Sequence, residues 1–147
     1  MPEHVLNFTR VFDAPRDLVF RCMVEPHHLT RFWGPIGTST PLDQISVDAR
    51  PGGTFATVMV NDSDGSRYAT SATYVEVRAP ERLSWLEGHS GMAVTVTFTD
   101  LGDNRTQVDI EQSNVPEQLL DPRAQAGFLT SLDRFASHLA TLTVAQR

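Results

Sequence analysis

Apolar and polar positions alternate along much of the chain as far as Gln112, and beyond Pro116 apolar residues recur every three or four positions. The first period belongs to half-buried strands and the second to an amphipathic helix. His4–Phe12 (HVLNFTRVF) predicts a first strand, with Leu6, Phe8, Arg10 and Phe12 on one side. Asp13-Ala14-Pro15 then starts a helix. Proline lacks the N–H that a first turn leaves unpaired, and Asp17 adds a negative charge near the positive end of the helix. Leu18, Val19, Cys22 and Met23 form its apolar stripe, Pro26 closes it, and a second short helix follows over His27–Phe32.

Trp33-Gly34-Pro35 breaks that helix, and a loop runs to Leu42. Further strands are predicted over Gln44–Asp48, Thr54–Val60, Arg67–Val77, Arg82–Glu87, Met92–Thr99 and Arg105–Gln112. Their turns carry the residues that tight reversals need, among them Arg50-Pro51-Gly52-Gly53 and Asp62-Ser63-Asp64-Gly65. In an unbroken Arg67–Val77 strand, Tyr68, Thr70, Ala72, Tyr74 and Glu76 share one face, and Thr73, Val75 and Val77 the other. Leu120, Ala124, Phe128, Leu132, Phe135, Leu139 and Leu142 predict one long helix, with Pro122 as a weak break near its start. Gly127 in mid-helix implies that something large packs close to the backbone there.

The order is strand, two short helices, about six antiparallel strands and a long helix, in one domain over residues 1–147. A flat sheet of this kind would expose one apolar face, and curling it around the C-terminal helix buries that face. The expected fold class is therefore α+β. A cavity between sheet and helix is a physical consequence of imperfect fit along so long a helix.

Charge narrows the partners. Twelve positive residues oppose 18 negative ones, and every positive residue is arginine. Without lysine there is no Schiff base and no phosphate-loop lysine. No basic cluster tracks a nucleic-acid backbone or an anionic membrane, so neither is an expected partner. No apolar run approaches the length of about 18 residues that spans a bilayer, so membrane insertion is not expected. A single cysteine, Cys22, excludes an internal disulfide. With no basic-then-apolar leader, the expected compartment is the cytoplasm.

Several blocks resemble the START-like superfamily (SRPBCC, the birch-pollen-allergen fold). They are Phe12-Asp13-Ala14-Pro15 with Val19-Phe20, Pro26 through Pro35 (PHHLTRFWGP), Asp48 through Phe55 (DARPGGTF), Pro80-Glu81-Arg82-Leu83, Val94 through Phe98, and the final helix with Gly127-Phe128. The branch they are most similar to is named after the C-terminal domain of the activator of the heat-shock chaperone ATPase. The resemblance covers about Val5 to Leu142, and the second and third blocks together are its specific part. It implies a helix-grip, a curved antiparallel sheet wrapped on a long C-terminal helix around a hydrophobic cavity. The superfamily includes lipid and hormone carriers and aromatic polyketide cyclases. The branch shares no catalytic motif. The additional N-terminal domain of the full co-chaperone has no counterpart in the sequence, so chaperone-ATPase activation is not the expected activity.

The candidate ligand-binding residues are Trp33, Met59, Tyr68, Tyr74, Trp85, Glu87, His89 and Phe128. Trp33 closes the second short helix, where it is either a core plug or a wall of a cavity mouth. Trp85 offers a broad apolar surface and one N–H donor. Glu87, two residues on, shares its face; turned inward, such a carboxyl would have a raised pKa and could move protons. The two tyrosines could orient a polar ligand group or stand at a sheet edge in water. His89 lies in the Gly88–Gly91 turn, over a cavity mouth or in solvent. Met59 and Phe128 are apolar lining or core.

No metal and no cofactor is expected. His27 and His28 are adjacent and point about 100° apart on a helix, unlike the i, i+4 pair of a zincin. His4 and His138 are near the termini, and no three histidines have a ligand spacing. A site assembled in space from His and Glu stays open. Asp62 through Gly65 lacks the distant glutamate of a calcium loop. Cys22 is expected to be a buried, inert thiol.

Three functions remain. The leading one is binding of a small hydrophobic or aromatic ligand between sheet and helix. The second is a cyclase- or hydrolase-type enzyme using a pocket carboxylate or histidine. The third is a protein-interaction or co-chaperone-like role. A homodimer through a sheet edge or an external helix is the expected assembly.

Overall fold

The computed structural model describes residues 4–145. The chain forms β1 (Leu6–Phe12), α1 (Arg16–Val24), α2 (Pro26–Phe32), β2 (Thr38–Ser39), β3 (Ser46–Val47), β4 (Thr54–Asn61), β5 (Arg67–Arg78), β6 (Arg82–Glu87), β7 (Ala93–Gly102), β8 (Arg105–Ser113) and α3 (Pro122–Ala145). The strands make one antiparallel sheet in the order β1-β8-β7-β6-β5-β4-β2, with β3 also on β4. This is the α+β helix-grip, with the curved sheet closed on the long α3 and the two short helices filling the end beside it.

The alternation sets which side chains go in. Val94, Val96 and Phe98 of β7 and Val108 and Ile110 of β8 are buried on the inner face. Leu132, Phe135 and Leu139 of α3 belong to the same buried core, three and four residues apart as one helix face requires. Aromatic contacts tie the layers. Phe135 touches Phe12 of β1 at 4.8 Å between ring centroids and stacks on Phe32 of α2 at 4.1 Å. Phe20 of α1 meets Phe98 of β7 at 5.3 Å. The Thr106 hydroxyl, fully buried, donates to the Ala14 carbonyl at 2.7 Å and fixes the chain leading into α1 on β8.

Four local expectations change. The segment expected as a strand over Gln44–Asp48 is a 3-10 turn, Leu42–Gln44, followed by the two-residue β3. The preceding loop contributes β2, which pairs with the end of β4. The Pro122 break is complete: a 3-10 turn covers Glu117–Leu120, and α3 starts afresh at Pro122 with the Asp121 carboxylate accepting from the Arg123 N–H at 2.7 Å. In β5 a bulge between Tyr74 and Glu76 shifts the register against β6. It reverses the parity beyond Tyr74. Val77 then packs against the core, Val75 is exposed, and Glu76 pairs with Arg78 and Arg82.

Among the described residues, no helix is long and apolar enough to cross a membrane.

Candidate functional site

The inner face of β4, β5 and β6 carries an aromatic group made of Trp33, Phe55, Tyr74 and Trp85. Phe55 and Tyr74 stack at 5.7 Å between centroids, and Trp85 stands edge-on to both, at 5.1 Å and 6.3 Å. Trp33 closes the group from the α2 side, 5.2 Å from Phe55 and 6.4 Å from Trp85. Phe55 is absent from the sequence-derived candidates, although it shares the parity of Met59 in β4 and so signals the same face.

Tyr74 and Trp33 are held by their backbones. Gly52 N–H donates to the Tyr74 carbonyl at 2.8 Å, and Tyr74 N–H donates to the Gly53 carbonyl at 2.9 Å. The Gly-Gly turn thus pins β5 at Tyr74, next to the bulge. Trp33 ends α2, and its carbonyl accepts from the Thr40 hydroxyl at 2.7 Å. Gly34, with φ of +99°, then turns the chain; a Cβ there would stand 2.7 Å from Thr38 Oγ1 and 2.9 Å from Met59 Sδ, so only glycine fits. Arg134 of α3 clamps this loop by donating to the carbonyls of Gly34 at 2.8 Å and Pro35 at 3.2 Å.

Tyr74 is the chemical anomaly of the group. Its side chain is 1% exposed, and its hydroxyl has no hydrogen-bond partner. Burial pushes its pKa up, so the group is a neutral phenol with an unused proton. Glu87 lies on the same inner face of β6, two residues past Trp85, and is half-buried. Burial raises its carboxyl pKa above the usual 4.5. A donor hydroxyl and a carboxyl whose pKa is raised by burial therefore share the inner face of this aromatic wall.

The other sequence-derived candidates fall elsewhere. Tyr68 shares the parity of Tyr74 but stands near the far end of β5 opposite Met59, 59% exposed. Six residues of strand, about 20 Å, separate the two phenols. Met59 is half-buried and touches the Trp33–Gly34 corner. His89 is exposed in its turn. Phe128 packs on Phe8 of β1, at 4.6 Å, toward the opposite edge of the sheet.

The expected cavity between sheet and helix is not among the two hollows that stand out. One, of about 210 Å³, opens on the outer face of the sheet among Asn7, Thr9, Thr95 and Thr97. The other, of about 310 Å³, lies at the end of the sheet between Pro15, Pro80 and Asp103. The aromatic rings occupy the inner space beside β4–β6, because their side chains interleave from both sides.

A second gathering of reactive groups lies where α1, α2 and α3 meet. His28 Nδ1 and His138 Nε2 are 2.9 Å apart, although 110 positions separate them in the chain. Glu25 Oε1 is 3.4 Å from His28 Nε2 and 3.5 Å from His27 Nε2. Cys22 is fully buried beside them, and burial pushes its thiol pKa up to about 12. Burial, and then the charge of a neighbouring imidazole, lowers the pKa of both His28 and His138. Sequence spacing leaves His138 a residue near the terminus; the fold makes it the partner of His28.

The family model described as "Activator of Hsp90 ATPase homolog 1-like protein" matches residues 13–140, from the turn before α1 to the body of α3. The chain belongs to this family. Its blocks Pro26 through Pro35 and Asp48 through Phe55 are the segments that place Trp33 and pin Tyr74. A crystal structure of a Chromobacterium violaceum protein superposes with a TM-score of 0.85 at 23% identity, covering 92% of this chain and 97% of that one. One from Nitrosomonas europaea gives 0.83 at 24% identity over 95% and 96%. The AHSA1 protein of Silicibacter pomeroyi gives 0.77 at 24% identity over 94% and 99%. At these identities the likeness establishes a shared fold. No curated protein matches the chain.

Proposed function

We propose that this member of the Hsp90-activator-like family binds a small aromatic molecule carrying a hydrogen-bond acceptor, on the inner face of β4–β6. The observation that carries the reading is the unpartnered Tyr74 hydroxyl, buried among Phe55, Trp85 and Trp33. A buried donor left unsatisfied costs about 1–3 kcal/mol. A ligand carbonyl or ether oxygen would recover that energy, and the surrounding rings would bind its apolar body. Entry requires Trp33 to move, since the rings fill the space without it. Trp33 is the half-buried member, set on a loop and not on a strand. Glu87 on the same wall would give such a site a proton to transfer, which is the enzymatic form of the same reading.

An NMR titration with 2-acetylnaphthalene, an aromatic ketone, tests this. Binding predicts shifts centred on the Trp33 and Trp85 indole N–H signals and on the Tyr74 and Glu87 amides. Shifts confined to the outer face of the sheet, or none at all, would overturn it.

A second reading is favoured by the printed description of the family: a co-chaperone-like contact with another protein. Ile36, 67% exposed beside α3, and Leu129 on α3 itself are apolar side chains left in solvent at that end. Retention of an ATPase chaperone on the immobilised protein, lost in Ile36→Asp, would support that reading over the first.

A further inference from the structure

We propose that Cys22, His28 and His138 form a binding site for a thiophilic transition-metal ion such as Zn2+, with Glu25 as the carboxylate that orients His28. The chain has one cysteine and five histidines. The fold gathers that cysteine and three of the histidines into one place, from three different helices.

The Cys22 sulfur and one ring nitrogen from each of His28 and His138 lie within 4.8 Å of one another. A tetrahedral zinc ion has bonds of about 2.0–2.1 Å to nitrogen and about 2.3 Å to sulfur, which spaces ligand atoms about 3.3–3.6 Å apart. The two imidazole nitrogens, at 2.9 Å, need to part slightly, and the sulfur already lies within 4.8 Å of both rings' ligand nitrogens. Side-chain rotations supply adjustments of this size. The hydrogen bond between the rings is what an ion would replace.

The surroundings are those of a ligand set. Cys22 is fully buried, and the His28 side chain is 12% exposed, so water competes little for the ion. Glu25 Oε1 approaches His28 on its Nε2, the nitrogen away from His138. A carboxylate accepting from one ring nitrogen leaves the other bare and orients the ring. Phe32 stacks over His138 at 6.0 Å, and His27 packs on His28 at 4.1 Å, so both rings have few places to turn. One thiolate with two imidazoles suits zinc or cuprous ion, not magnesium or calcium. Binding releases the thiol proton to solvent, and three protein ligands leave a fourth position for water or an anion. A second grouping, Glu25, His27 and His28, is also compact, but it lacks sulfur and its His27 side chain is 66% exposed.

Cobalt reports the sulfur directly. Untagged, reduced, full-length protein is titrated with Co2+ without oxygen, and Zn2+ is then added. The expected result is one equivalent of tetrahedral Co2+ with a near-ultraviolet sulfur-to-cobalt charge-transfer band, which Zn2+ removes. Cys22→Ser and His138→Asn should each lose that band. Glu25→Gln should keep it but bind about 10- to 100-fold more weakly. His138 is half-buried, so its variant tests the site even where the Cys22 change prevents folding. Absence of the band in the native protein overturns the proposal. So does cobalt binding that survives Cys22→Ser and His138→Asn but is lost in His27→Asn, which would place the ion at the exposed grouping.

Discussion

Tyr74 and Trp85 face each other in register across β5 and β6, and their rings meet edge to face with centroids 6.3 Å apart. The contact directs the Tyr74 ring into the aromatic group, where its hydroxyl finds no acceptor. Removing the oxygen therefore removes a penalty. Tyr74→Phe should raise stability by about 1 kcal/mol. Urea denaturation of the two proteins measures this. A loss of stability of the same size would mean that the hydroxyl is paired in solution.

Glu87 gives the fold a pH dependence with a definite sign. Burial raises its pKa above 4.5, so the folded chain holds this proton to higher pH than the unfolded chain. Its contribution to stability is complete below about pH 4.5 and is lost as pH rises through the raised value. Glu87→Gln should match the native protein near pH 4 and exceed it in stability near pH 8, with the gap opening above about pH 4.5. Urea midpoints across that range give the comparison. A constant gap would show that Glu87 ionises as freely as in the unfolded chain.

Gly127 sits inside the unbroken α3 without a steric reason. A Cβ there would stand 3.6 Å from Pro35 Cβ, an ordinary contact, which corrects the expectation of a large neighbour against the backbone. Gly127→Ala should stabilise the protein by about 0.5–1 kcal/mol through lower unfolded-state entropy. Thermal melts should show a higher midpoint; a lower one would mean that the loop at Pro35 does not accept the methyl group.

Gly53 is the opposite case. A Cβ at Gly53 would overlap the Asp48 backbone carbonyl. Its own carbonyl accepts from Tyr74 N–H, so relief of that clash must disturb β5. Gly53→Ala should lose more than about 2 kcal/mol. Tryptophan fluorescence should change with it, because Trp85 packs on Tyr74.

Much of this was legible where one periodicity governs a whole element. β7, β8 and α3 bury the residues that alternation and the three-to-four spacing select, because each has one face to the core and one to water. The bulge after Tyr74 was not legible, since an extra residue in one strand is set by pairing with β6 and leaves no mark in the β5 sequence. Asp121-Pro122 shows why a helix stripe overruns its helix: Leu119 and Leu120 continue the apolar pattern into the core from a 3-10 turn. Of the candidate site, Trp33, Tyr74 and Trp85 converge, and Glu87 shares their face. Tyr68, His89 and Phe128 do not, because parity fixes a face but not a position along it. The approach of His28 to His138 depends on how α2 docks on α3, a relation that local spacing does not contain.

The central claim is that Tyr74 keeps its hydroxyl for a ligand. The most direct measurement compares the affinity of 2-acetylnaphthalene for the native protein and for Tyr74→Phe, with naphthalene as the acceptor-free control. Loss of one hydrogen bond predicts about tenfold weaker binding of the ketone to the variant and no change for naphthalene. Equal ketone affinities for the two proteins would contradict the claim.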